Sequence, residues 1–101
     1  MATKNINFTS MHCVRQQDVV GSDEVHLYLD GVENWNHPMK KGDSETLSIS
    51  KSFDGSMQVE VKERNPSSWK SLGTVTIVNG YSSPAEFKTT GAHYKLYFNI
   101  K

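Results

Sequence analysis

Half of what usually betrays a protein's task is missing from this sequence. It has a single cysteine, Cys13, which excludes an internal disulfide and any zinc cluster built on several thiolates. A lone cysteine also fits a reducing compartment slightly better than an oxidising one. Neither sign of charge is in excess: 11 Lys and Arg face 11 Asp and Glu. A dedicated nucleic-acid binder normally carries a basic surplus, so nucleic acid is not an expected partner. No apolar run approaches the roughly 18–20 residues that span a bilayer. Met1 to Asn5 lead into no apolar core of a signal peptide. The expected location is therefore the cytoplasm, or outside it by leaderless export. Internal repeats, low-complexity stretches and linkers are absent, and 101 residues match one domain.

Catalytic signatures are missing too. There is no Gly-x-Ser-x-Gly, no phosphate loop and no dinucleotide fingerprint. His12, His26, His37 and His93 show none of the spacings of a transition-metal site. With no convergent acid–base pair, the chain is not expected to be an enzyme.

What is present is period-two alternation, the mark of strands with one buried face. Val25, Leu27 and Leu29 alternate with Glu24, His26 and Tyr28. Leu47, Ile49 and Phe53 alternate with polar residues, and Lys51 takes one inward slot. Met57, Val59 and Val61 form another row, as do Val75 and Ile77, and Tyr94, Leu96, Phe98 and Ile100. Ile6 and Phe8 start a strand whose phase changes near Ser10, because Met11 and Cys13 then take the apolar slots; a bulge explains this. Asp30-Gly31, Asp54-Gly55 and Asn79-Gly80 supply turns between the runs. No stretch repeats at helical spacing. Strands are predicted over 5–14, 24–30, 33–37, 46–53, 56–63, 72–78, 84–89 and 93–100. Such a set reads as an all-β antiparallel β-sandwich of about eight short strands.

Two segments carry a resemblance. The first runs from Asp18 through Gly21-Ser22-Asp23 into the alternating strand ending at Asp30-Gly31. The second runs from Val59 through Glu63, Arg64 and Asn65, then Pro66 to Trp69, and on through Leu72-Gly73 into another strand. Met39 to Asp43 form a turn between them. Over residues 18–77 the chain resembles C2 domains, whose loops at one end bind calcium and then a membrane headgroup or another partner. The resemblance implies that Asp18, Asp23, Glu63 and Asn65 ligate Ca²⁺, an ion that takes six to eight oxygens. The pattern departs from the family at Lys70, where an acidic residue is expected. A cation there repels Ca²⁺, so the implied binding is weak. The alternative is that these four residues are turn formers and solvated charges.

Trp69, Lys70, Arg64 and Trp35 are the candidate ligand contacts. Trp69 lies within a polar stretch, and tryptophan favours interfaces such as membrane headgroups and sugar faces. It either anchors a ligand or plugs one end of the core. Trp35 reads as packed on an edge strand. Tyr28, Tyr81, Tyr97 and His26 could present an aromatic surface or simply pair across strands. The leading expectation is a non-enzymatic binding module with weakly bound Ca²⁺ and an anionic phospholipid surface as partner. The alternatives are a small lectin that binds a glycan through Trp69 or Trp35, and a structural, assembly or toxin-accessory domain that oligomerises through its sheet edges.

Overall fold

The structure is a computed structural model and describes residues 3–16, 22–64 and 69–101. All eight expected strands form, and no described residue is helical. They are β1 (Thr3–Arg15), β2 (Asp23–Leu29), β3 (Val32–Met39), β4 (Ser44–Asp54), β5 (Ser56–Arg64), β6 (Trp69–Val78), β7 (Ala85–Lys88) and β8 (His93–Ile100). Strand β6 begins at Trp69, three residues ahead of its expected start, because Trp69 pairs with Arg64 and Lys70 with Glu63.

Two four-stranded antiparallel sheets pack as a sandwich. One is ordered β3-β2-β5-β6 and the other β4-β1-β8-β7. The chain crosses between them through the Asp54/Ser56 hairpin, where Gly55 takes φ 82°. Strand β1 has 13 residues, about 43 Å at ~3.3 Å per residue. That nearly matches the longest dimension of 46 Å, so the strands run along the long axis.

The inward rows close one core. Ile6, Phe8, Met11 and Cys13 of β1 meet Val25, Leu27, Val59, Val61, Leu72, Tyr94 and Leu96, all buried. The expected phase change in β1 is present: the register shifts between Phe8 and Ser10 against both neighbours. A second shift, between Val61 and Lys62, leaves Leu72 as an extra residue of β6 and turns it into the core.

Each sheet edge is blunted. Strand β3 carries Pro38 and a register shift against β2. Strand β4 has Lys51 in an inward-row position opposite Ile6, and Glu45 in another opposite Met11. Strand β6 has its bulge, and β7 has only 4 residues. Inward charges, prolines, bulges and short edges all discourage strand addition. Asn5 and Lys101 exchange backbone hydrogen bonds of 3.1 and 2.8 Å, which ties the two ends of the chain side by side.

Candidate functional site

The register brings four connections to one end of the sandwich. They lie between β1 and β2, β3 and β4, β5 and β6, and β7 and β8. The strands that flank them are paired there: Asp23 with Met39, Val25 with Glu63, His12 with Ser44, and Arg15 with His93. Of the four expected calcium ligands, Asp23 and Glu63 fall on strands at this end. Asp18 and Asn65 lie outside the described residues.

Asp23 and Glu63 are not the solvated turn residues of the alternative reading. Asp23 opens β2 and Glu63 sits one residue from the end of β5, and both occupy inward slots. Their exposures are 0% and 1%. A buried carboxylate loses hydration worth several kcal/mol, so it needs compensating partners. Asp23 accepts a hydrogen bond from the Tyr94 hydroxyl of the opposite sheet, and both carboxylates make further interactions. Burial, then the hydrogen bond to Asp23, pushes the Tyr94 hydroxyl well above the usual tyrosine range. Cys13 on β1 interacts with the same Tyr94 hydroxyl. Burial pushes the Cys13 thiol up as well. Cys13 is thus a small buried strand residue, as expected.

The rim around these carboxylates carries several exposed cations. Arg15, Lys40, Lys41, Arg64, Lys70 and Lys88 are all exposed on or beside the strand ends. Among the acidic groups there, Asp43 caps its own turn by accepting from the Lys40 amide at 3.0 Å. Glu86 is engaged by His93 at 2.8 Å and Lys88 at 3.8 Å. Glu24 and Glu45 add two further acids at the surface of this end, so of the described acids there only Asp23 and Glu63 are withdrawn from solvent. Among the described residues, no three of His, Cys, Asp and Glu stand close enough to hold a metal by themselves. A cation here would need further oxygens from the connections bearing Asp18 and Asn65.

Trp69 is not a plug in the end of the core. It lies on the outer face of the β3-β2-β5-β6 sheet, 45% exposed. Its ring stands edge-to-face with His26 at 4.7 Å and with Tyr28 at 6.3 Å between centroids. The Arg64 guanidinium lies 5.3 Å from its centre, in cation–π range. Beneath Trp69, His26 Nε2 meets Glu24 at 2.9 Å and Nδ1 meets Glu33 at 3.0 Å. Glu33 also accepts from Asn36 at 2.9 Å and from Tyr28 at 3.3 Å. Burial works to raise the Glu33 carboxyl, but hydrogen bonds from Asn36, His26 and Tyr28 together hold it below the usual range. Burial, then Glu33, raises the Tyr28 hydroxyl.

Trp35 is on edge strand β3, half-buried against the core and stacked on His37 at 6.0 Å. Tyr97 is on the outer face of the other sheet, opposite Ser10. The aromatic residues therefore do not gather into one surface. Sequence reasoning does not pick out Tyr94 as the partner of Asp23, because an inward tyrosine reads as core. Nor does it reveal the His26 cluster, although Glu24 two positions earlier shares the same face. No protein-family model matches this chain, and no curated protein matches it significantly.

Proposed function

We propose that this protein is a non-enzymatic binding module that uses the connection-bearing end of the sandwich to engage an anionic surface, with Ca²⁺ held weakly between the two. The observation that supports this reading is that the buried carboxylates of Asp23 and Glu63 lie at the same end as the exposed cations Arg15, Lys40, Lys41 and Lys70. The cations around this pole attract phosphate-bearing headgroups without any ion, each contributing about 1 kcal/mol near a charged membrane. The inward carboxylates supply two of the oxygens a Ca²⁺ ion requires, and Asp18 and Asn65 are the sequence's candidates for others. Lys70, paired with Glu63, lowers the affinity for the ion and adds to the attraction for the anion. The C2-like pattern of residues 18–77 supports the same reading. Trp69 is not needed as a lipid anchor in it.

The test is co-sedimentation with vesicles containing phosphatidylserine, with Ca²⁺ or with chelator, beside calorimetric titration with Ca²⁺ alone. Binding should weaken with added salt and with neutral vesicles. Lys40→Glu with Lys41→Glu should abolish it, and Asp23→Asn should remove only the Ca²⁺-dependent part. If nothing sediments in either condition and Ca²⁺ gives neither heat nor a thermal shift, the reading is wrong.

A further inference from the structure

His26 is nearly buried on an outer sheet face, 6% exposed, with a carboxylate oxygen at hydrogen-bond distance from each ring nitrogen. Only the imidazolium carries a proton on both nitrogens. In neutral imidazole one nitrogen would aim a lone pair at a carboxylate oxygen about 3 Å away, and that contact must open. The same ring stands edge-to-face with Trp69 at 4.7 Å between centroids, so a change in the ring's charge or position is felt by the indole.

We propose that His26 is a proton-operated latch: as imidazolium it ties Glu24 to Glu33 and seats Trp69, and loss of one proton releases that seat. Trp69 is the first residue of β6 and pairs with Arg64, the last of β5. The latch therefore acts at the root of the connection that carries Asn65 and leads to Lys70. This inference rests on the proposed binding role of that end for its regulatory consequence, not for the latch itself.

The charged groups around the ring are mixed. Glu24 on its own strand and Glu33 on β3 favour the proton. Lys62 and Arg64 on β5 oppose it, but each cation is occupied. Lys62 lies 4.6 Å over the Tyr28 ring and 3.9 Å from Glu60, and Arg64 lies over Trp69. Glu60 accepts from Ser71 at 2.7 Å on the far side of that row. Tyr28 donates to Glu33. Residues 65–68, Asn-Pro-Ser-Ser, contain no titratable side chain.

The experiment is ligand-free nuclear magnetic resonance of the whole chain from about pH 5 to 9, the range in which histidine titrates. The Trp69 indole N–H and the His26 ring nitrogens are followed together, with Trp69→Phe used for assignment. Both signals should move with one midpoint, and both His26 nitrogens should be protonated below it. Glu33→Gln should move the shared midpoint, since it removes the carboxylate at one ring nitrogen. His26→Gln should flatten the Trp69 response. The proposal is overturned if His26 does not titrate in this range, or if it titrates while Trp69 does not follow. It is also overturned if Glu33→Gln leaves the midpoint unmoved, a result that can be read even if His26→Gln fails to fold. No ligand enters the measurement, so its outcome is independent of whether vesicles or Ca²⁺ bind.

Discussion

The Tyr94 hydroxyl on β8 donates to the Asp23 carboxylate on β2, joining the two sheets between residues 71 positions apart. The bond lies inside the end of the sandwich that carries the exposed cations. Removing only the hydroxyl, in Tyr94→Phe, keeps the ring in the core and takes this one donor from Asp23. A hydrogen bond to a charged group contributes about 1.5–3 kcal/mol. Urea denaturation should show a loss of that size with an unchanged slope. In a double-mutant cycle, Asp23→Asn should cost much less when Tyr94→Phe is already present than in the wild type.

Acid should weaken the outer-face cluster in a defined window. The Glu33 carboxyl is held below its ordinary value of 4.5. A group whose folded value is depressed stabilises the fold above its unfolded value, and this contribution fades as pH falls through the depressed one. Glu86 is depressed as well, first by its hydrogen bond from His93, but it is exposed and its effect is screened by salt. Denaturation midpoints should therefore fall below about pH 4.5. Glu33→Gln should reduce that decline, and a decline unaffected by the substitution would remove Glu33 as its source.

Gly73 follows the bulged Leu72 and takes φ +134° beside Phe87 of β7. An added Cβ would have room, at 3.5 Å from the Phe87 ring. The obstacle is the backbone, since residues with a side chain rarely adopt that φ. Gly73→Ala should cost about 1–3 kcal/mol of folding stability by calorimetry or denaturant titration. A neutral result would show that the bulge can relax without it.

Lys51 faces Ile6 in the inward row of edge strand β4, between Ile49 and Phe53. Lys51→Val should leave the stretch from Leu47 to Phe53 of this edge with an uncharged inward row open to pairing. In analytical ultracentrifugation the variant should self-associate with rising concentration while the parent chain stays monomeric. A parent chain that associates through β4 at low concentration would contradict this.

The fold is legible because its strands face a core on one side only. Leu27 and Val59 go in, Tyr28 and Gln58 stay out, and the period shows in the order of letters. Even the bulge before Ser10 can be read, since Met11 and Cys13 keep their depth only if one residue is skipped. The site is far less legible. Asp23 and Glu63 continue the inward rows of Val25-Leu27-Leu29 and Met57-Val59-Val61. As acids at the ends of those rows they resemble loop residues by composition, and only the packing of β8 across from them shows Tyr94 as a partner of Asp23. Trp69 misleads for the opposite reason: polar neighbours in sequence suggest a loop, but its contacts are His26 and Tyr28 on another strand of the sheet. Partnerships between distant strands leave no local periodicity.

The paired ends of the chain give this molecule a polarity. Asn5 and Lys101 meet at the pole opposite Asp23 and Glu63. Anything fused to either end leaves from that pole, so a tether would hold the cation-bearing rim outward like the working end of a probe. The same adjacency means that a short linker can join the two ends and the chain can be reopened at Gly55 as a circular permutant. Such a permutant should fold with the rim unchanged.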